Sequence, residues 1–309
     1  MKVFSVPMTT RFRGVVRREG VLLEGPCGWG EFSPFPEYPP AVCARWLDAA
    51  LEAATTPWPA PVRERIPVNV TVPAVTAQRA YEIVAGSGCS TAKVKVAEAG
   101  QSEGDDVARV EAVRDALGPD GRVRVDANGA WDVDTAARMI TRLDRFGLEY
   151  VEQPCADLEQ MAALRRRVDV PLAADESIRT AADPLRVAGL EAADLIVLKV
   201  QPLGGVWPAL RVAELAGLPA VVSSALETSV GIAAGLALAA ALPELPYACG
   251  LGTAVLLTDD VVADPLLPRD GAIAVRRPPV DPDRLARVEL AGDDAEPWLH
   301  RVAAAEAAR

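Results

Sequence analysis

The chain has 309 residues, about two ordinary domains' worth or one barrel with a small companion; half are hydrophobic and 24% are charged, which excludes a disordered or fibrous protein. Asp and Glu number 43 against 32 Lys and Arg, a net charge of -11 that argues against a general nucleic-acid binder, whose footprint is a basic surface. The one histidine, His300, sits near the C-terminus as a surface residue, so Ser-His-Asp triads, His-Asp bases and multi-histidine metal sites are excluded.

The opening MKVFSVPMTTRFRG holds no apolar run of signal-peptide length. Val15-Val16 and Val21-Leu22-Leu23 flank Arg18-Glu19-Gly20 as strands flank a hairpin turn. GWGEFSPFPEYPP follows, then a helix from Ala41 to about Ala54. Prolines 59, 61 and 67 place a boundary near residue 66, and the segment before it is too small to fold comfortably alone. From Pro67 short β-branched runs alternate with helical stretches: PVNVTV, TAKVKV, RVRVD, LEYVE, VPLAAD, ADLIVLK, PAVVSS and a weaker PYACG. Eight such runs alternating with seven helices favour a parallel barrel over a doubly wound sheet, and no glycine fingerprint of a nucleotide site is present. The Ala-rich IAAGLALAAAL is shorter than the roughly 18 residues of a membrane span and reads as a buried helix. Five scattered cysteines without a CxxC pair indicate neither a disulfide framework nor a zinc knot. The tail from about Asp264 reads as a loop, a strand near AIAVRR and a polar helix from Asp281, packed outside the barrel. A soluble, cytoplasmic protein with no nucleic-acid or membrane partner is expected.

In a barrel, chemistry sits where strands hand over to loops. Those positions hold Lys93 and Lys95, then Asp126, Glu152, Asp175 with Glu176, and Lys199, at steps of 31, 26, 23 and 24 residues from Lys95 onward. Taken singly, an acid near a helix start is a cap, as Asp132 and Asp157 are expected to be. Taken together, Asp126, Glu152 and Asp175 on adjacent strands repel unless protonated or bound to a cation, and an all-oxygen set suits Mg²⁺ first and Mn²⁺ second. In TAKVKV the period of two sends Lys93 and Lys95 inward when Val94 and Val96 face the helices. Lys199 lies across the ring. Positive neighbours and the metal should depress the lysine pKa values and make a neutral base accessible for removing a proton beside a carboxylate. Asn128 and Gln153 are candidates to hydrogen-bond the metal ligands or to place loops. Glu176 either orients Lys199 or Lys95 or is solvated. Ser223 and Ser224, with the helix start beyond them, could receive a substrate carboxylate. Gly250 and Gly252 either admit backbone N–H groups close to a ligand or form a plain turn.

This ordered set resembles the enolase superfamily, and within it the muconate-lactonizing branch, with a lysine on each side of the site. The resemblance spans nearly the whole chain. It implies a modified (β/α)7β barrel over 67–263, an N-terminal α+β capping domain over 1–66 and a segment over 264–309 that returns to the cap. It assigns Lys95 as the acid/base residue, Lys199 as the opposing lysine and Asp126, Glu152 and Asp175 as ligands of Mg²⁺. It also implies that the loop from Arg11 to Gly14, with Arg13, folds over the site, and that the chain is a monomer. The missing histidines exclude the histidine-base branches. The short cap and the segments TRFRG, GWGEFSPFPEY and SSALETSVG are similar to the o-succinylbenzoate synthases. That similarity implies metal-dependent syn-dehydration of 2-succinyl-6-hydroxy-2,4-cyclohexadiene-1-carboxylate, a step toward menaquinone. N-acylamino acid racemization is the alternative, ahead of muconate cycloisomerization and dipeptide epimerization; for the last, the acidic motif expected after the eighth strand is replaced by Cys-Gly-Leu-Gly-Thr.

Overall fold

The computed structural model describes residues 1–179 and 185–309. Three antiparallel strands open the chain: β1 (Lys2–Phe12), β2 (Val15–Gly25) and β3 (Gly28–Phe32). Their first turn is Arg13-Gly14, with φ of 50° and 79°, the left-handed pair that matches the twist of a tight hairpin. The turn expected at Arg18-Glu19-Gly20 is therefore wrong; these residues continue β2 and pair with Val6, Ser5 and Phe4. Gly20 is there for closeness, since a Cβ would lie 2.6 Å from the Phe32 carbonyl oxygen, and Arg18 is buried. The helix Pro40–Thr55 starts with proline in its first turn, where no N–H is missed, and buries Cys43, Trp46, Leu47 and Ala50 under this sheet.

The eight expected runs appear in order. The first splits into β4 (Arg65–Pro67) and β5 (Val70–Val72); then come β6 (Thr91–Lys95), β7 (Arg122–Asp126), β8 (Leu148–Glu152), β9 (Leu172–Ala174), β10 (Leu195–Leu198) and β11 (Ala220–Val222). Strands β5 to β11 form one parallel sheet in sequence order. The weak eighth run contributes Cys249 and Gly250, which bridge Val68 on one side and Ser223 on the other. Cys249 N–H donates to the Pro67 carbonyl at 2.7 Å, and Gly250 N–H donates to the Val222 carbonyl at 2.8 Å, so these two residues close the barrel.

The alternation of β6 to β11 sorts side chains into two shells. Val94, Val123, Val125, Val151, Ile196, Leu198 and Val222 pack outward against the helices. Tyr150, Ala173, Leu195, Val197 and Val221 pack inward as a plug. Two residues further along each strand, the inward positions become Glu152, Asp175, Lys199 and Ser223. Asp132 and Asp157 cap their helices, accepting from Thr135 and Gln160 N–H at 2.7 and 2.8 Å. The Ala-rich helix Ser229–Ala241 is buried on every side. Among the described residues no helix is long and apolar enough to cross a membrane.

Beyond the barrel, β12 (Ala272–Ala274) pairs with β4, and β13 (Glu289–Leu290) pairs with β1 on the cap sheet. A helix over Pro282–Val288 is capped by Asp281, and a second, Glu296–Ala307, sets Trp298 edge-on to Phe32 at 6.3 Å. The tail thus holds two helices where the sequence pattern indicated one. His300 is exposed on the last of them.

The seam between cap and barrel is polar and buried. Glu31 of β3 accepts from Thr228 Oγ at 2.6 Å and from Gly231 N–H at 3.1 Å, at the start of the Ala-rich helix. Burial and the neighbouring Glu227 push the Glu31 carboxyl up to about 7, against the opposing pull of Thr228, Arg18 and Ser33. A carboxyl raised on folding leaves stability unaffected below its unfolded value near 4.5 and lowers it as pH climbs to about 7. The loss expected from this group is about 3 kcal/mol. Urea unfolding at pH 5 and pH 8 should show it, with a smaller difference in Glu227→Gln; identical pH dependence in the two proteins would contradict this origin.

Candidate active site

The strand register places the ionisable residues at one level of the barrel. Lys95 pairs with Asp126 across β6 and β7, and Asp126 with Glu152 across β7 and β8. Asp175 and Lys199 follow the ends of β9 and β10. Lys93 Nζ donates to both Glu152 oxygens at 2.8 and 3.0 Å and lies 3.3 Å from Asp126. Lys95 Nζ donates to Asp126 Oδ2 at 2.5 Å and to Asn128 Oδ1 at 2.6 Å. Across the ring, Lys199 Nζ donates to Asp175 Oδ2 at 2.5 Å. Asp126, Glu152, Asp175, Lys93 and Lys199 are all buried.

Supporting residues fix these ends. Asn128, at φ 47°, gives its N–H to Asp126 Oδ1 and its amide to Glu176 Oε1 at 3.1 Å. Gln153, at φ 37°, accepts from the N–H groups of Asp175 and Ser177 at 2.9 and 3.2 Å, so one side chain sets the exit of β9. Such left-handed residues persist only where surrounding bonds hold them.

The electrostatics follow from burial and pairing. Burial opposes ionisation of Asp126, but Lys95 and Lys93 outweigh it and hold the carboxyl well below its ordinary range. Burial and adjacent Asp126 push Glu152 upward, only partly offset by Lys93. For Lys93, burial favours the neutral amine, yet Glu152 and Asp126 prevail and the net shift is upward. With the carboxylates alone around it, Lys93 does not show the depression expected from positive neighbours and a bound metal, because its nearest neighbours are Glu152 and Asp126.

Among the described residues no three candidate ligands stand close enough to form a ready-made metal cage. Each acid faces an ammonium group instead. The donor set nevertheless fits a hard divalent cation: three buried carboxylates at neighbouring strand ends, oxygen only, whose repulsion is now balanced by lysines.

A cavity of about 40 Å³ lies among Lys93, Lys95, Lys199, Ser223, Ser224 and Leu226. It opens toward a groove of about 500 Å³ bordered by Arg13, Glu98, Asn128 and Glu176. Ser224 and Thr253 share a hydrogen bond of 2.6 Å, and Gly250 leaves room for Ser223, with which a Cβ would collide. Gly252 borders a separate apolar cavity of about 460 Å³ rather than this one. Arg13 borders the pocket from the cap, stacked 4.1 Å from the Phe35 ring and hydrogen-bonded to Tyr38 Oη at 2.7 Å. Sequence reasoning placed the Arg11–Gly14 loop over the site without singling out Phe12, whose ring lies 5.5 Å from Lys95 Nζ, and missed Thr71 on β5. Thr71 Oγ is buried with no hydrogen-bond partner among the described residues and borders the cavity. Extending the inward-facing rule to the first barrel strand would have found it.

Comparison with known proteins agrees with this architecture. Residues 75–280 match the enolase C-terminal domain-like family and residues 3–54 the enolase N-terminal domain-like family. The o-succinylbenzoate synthase of Thermobifida fusca is 67% identical over 307 residues, covering 99% of this chain and 96% of that protein. The o-succinylbenzoate synthase of Mycolicibacterium smegmatis is 55% identical over 309 residues, covering 99% and 95%. In fold, the muconate lactonizing enzyme of Pseudomonas fluorescens superposes with a TM-score of 0.81 at 23% identity, over 94% of this chain and 97% of that one. Near-full-length identity at this level, on a barrel with this ring of lysines and carboxylates, means that the chain belongs to the o-succinylbenzoate synthase family of the enolase superfamily.

Proposed function

We propose that the protein dehydrates 2-succinyl-6-hydroxy-2,4-cyclohexadiene-1-carboxylate to 2-succinylbenzoate, a metal-dependent carbon–oxygen lyase reaction of menaquinone biosynthesis. The observation that carries this reading is the 67% identity to a synthase over 99% of the chain. Asp126, Glu152 and Asp175 would hold Mg²⁺, with Mn²⁺ as substitute, and the cation would supply charge neutralisation at the substrate carboxylate, acidifying the adjacent C–H. Lys95, freed from Asp126, takes that proton from the α carbon. The C–H electrons pass into the carboxylate and return to form the ring double bond as the C–O bond breaks. Lys95 then gives its proton to the departing hydroxyl, which leaves as water. Lys199, on the opposite wall, holds the developing negative charge as an ammonium without exchanging a proton. Lys93 positions Glu152.

The test follows the ultraviolet absorbance of the hydroxycyclohexadiene with purified protein and Mg²⁺, beside an EDTA control. Rapid metal-dependent conversion is expected. A folded, Mg²⁺-loaded protein that leaves the substrate unchanged would sink the assignment, and α-deuterium exchange into N-acylamino acids would then distinguish a racemase.

A further inference from the structure

We infer that Arg18 of the cap is a positioning residue for the substrate pocket, acting through the loop after β11; the inference rests on the synthase reading for its kinetic consequence. Arg18 is buried at 2% exposure. Its Nε donates to the Leu226 carbonyl at 3.0 Å and its Nη2 to the Ala225 carbonyl at 3.2 Å. The same Nη2 reaches Ser33 Oγ at 3.0 Å and the Ser33 carbonyl, tying β2 to the end of β3. Ser33 N–H in turn donates to Gln201 Oε1 at 3.2 Å, two residues beyond Lys199.

What Arg18 grips is a strained piece of chain. Leu226 has φ 66°, a left-handed conformation that a branched side chain adopts only where its surroundings enforce it. Ala225 and Leu226 line the cavity beside Ser223 and Ser224. On the other side, Glu227 accepts from Ala225 N–H at 2.7 Å, and Thr228 caps the Ala-rich helix. The loop is therefore pinned at both carbonyls by a guanidinium that comes from the cap, and its pocket-facing shape depends on the cap being docked. A single planar fork reaching several carbonyls is a task that lysine cannot reproduce.

The loop follows β11, two strands from the one that Asp175 follows and four from the one that carries Asp126, so its displacement should weaken substrate binding more than proton transfer. Arg18→Lys keeps the buried positive charge facing Glu31 and Glu227 and loses the fork. In that variant KM is expected to rise about tenfold while kcat stays within about threefold. Hydrogen exchange at the 223–228 amides, which needs no turnover, should accelerate in the same variant. Arg18→Ala supplemented with methylguanidinium should recover part of the KM. An Arg18→Lys protein with wild-type KM and wild-type exchange in the loop would overturn the inference. An inactive wild-type protein would instead overturn the synthase reading, leaving the exchange measurement to decide the role of Arg18.

Discussion

Lys95→Ala is expected to lower kcat by about 10³–10⁴-fold, toward the upper end for loss of a general acid/base. Lys95 Nζ is the ammonium that lies against both Asp126 and Asn128, at the open side of the ring beneath Phe12. The fold should survive, because Asp126 keeps Lys93 at 3.3 Å after Lys95 is gone. Lys199→Ala should cost less, about 10²–10³-fold, because in the proposed reaction that residue supplies charge and not proton transfer. Single-turnover absorbance on the folded variants measures both. A Lys95→Ala protein within about tenfold of wild type would refute its role, and equal losses at the two lysines would favour a racemase-like division of labour.

Glu152→Gln is expected to remove most activity, about 10²-fold or more, and to abolish the rise in melting temperature expected of the wild type with Mg²⁺. The amide retains the shape of the side chain but loses one charge from the three-carboxylate set. It leaves Lys93 paired with Asp126 at 3.3 Å, so the metal-free variant should still fold. Melting curves across a Mg²⁺ series read binding separately from turnover. An undiminished Mg²⁺ shift in Glu152→Gln would remove that residue from the ligand set.

Much of the fold is legible without coordinates. RVRVD and LEYVE are strands with the expected bounds, and TAKVKV turns Lys93 inward while Val94 packs against the helices, because a period of two leaves little freedom once one face is apolar. The caps at Asp132 and Asp157 are equally local. The hairpin turn is not: Arg18-Glu19-Gly20 has turn-like composition, whereas the charge of Arg18 is buried by carbonyl partners 208 and 207 residues away.

The sequence alone determined the order of strands and helices, the inward direction of the lysines and acids, and the chemistry that their types allow. These follow from backbone periodicity and side-chain identity, which are local. Only the tertiary structure decided which ammonium meets which carboxylate, the upward shift of Lys93, the two-residue closure at Cys249 and Gly250, and the grip of Arg18 on the Leu226 loop. Those depend on distances between segments far apart in the chain, and pairing energies in a buried site change sign with the identity of the nearest neighbour.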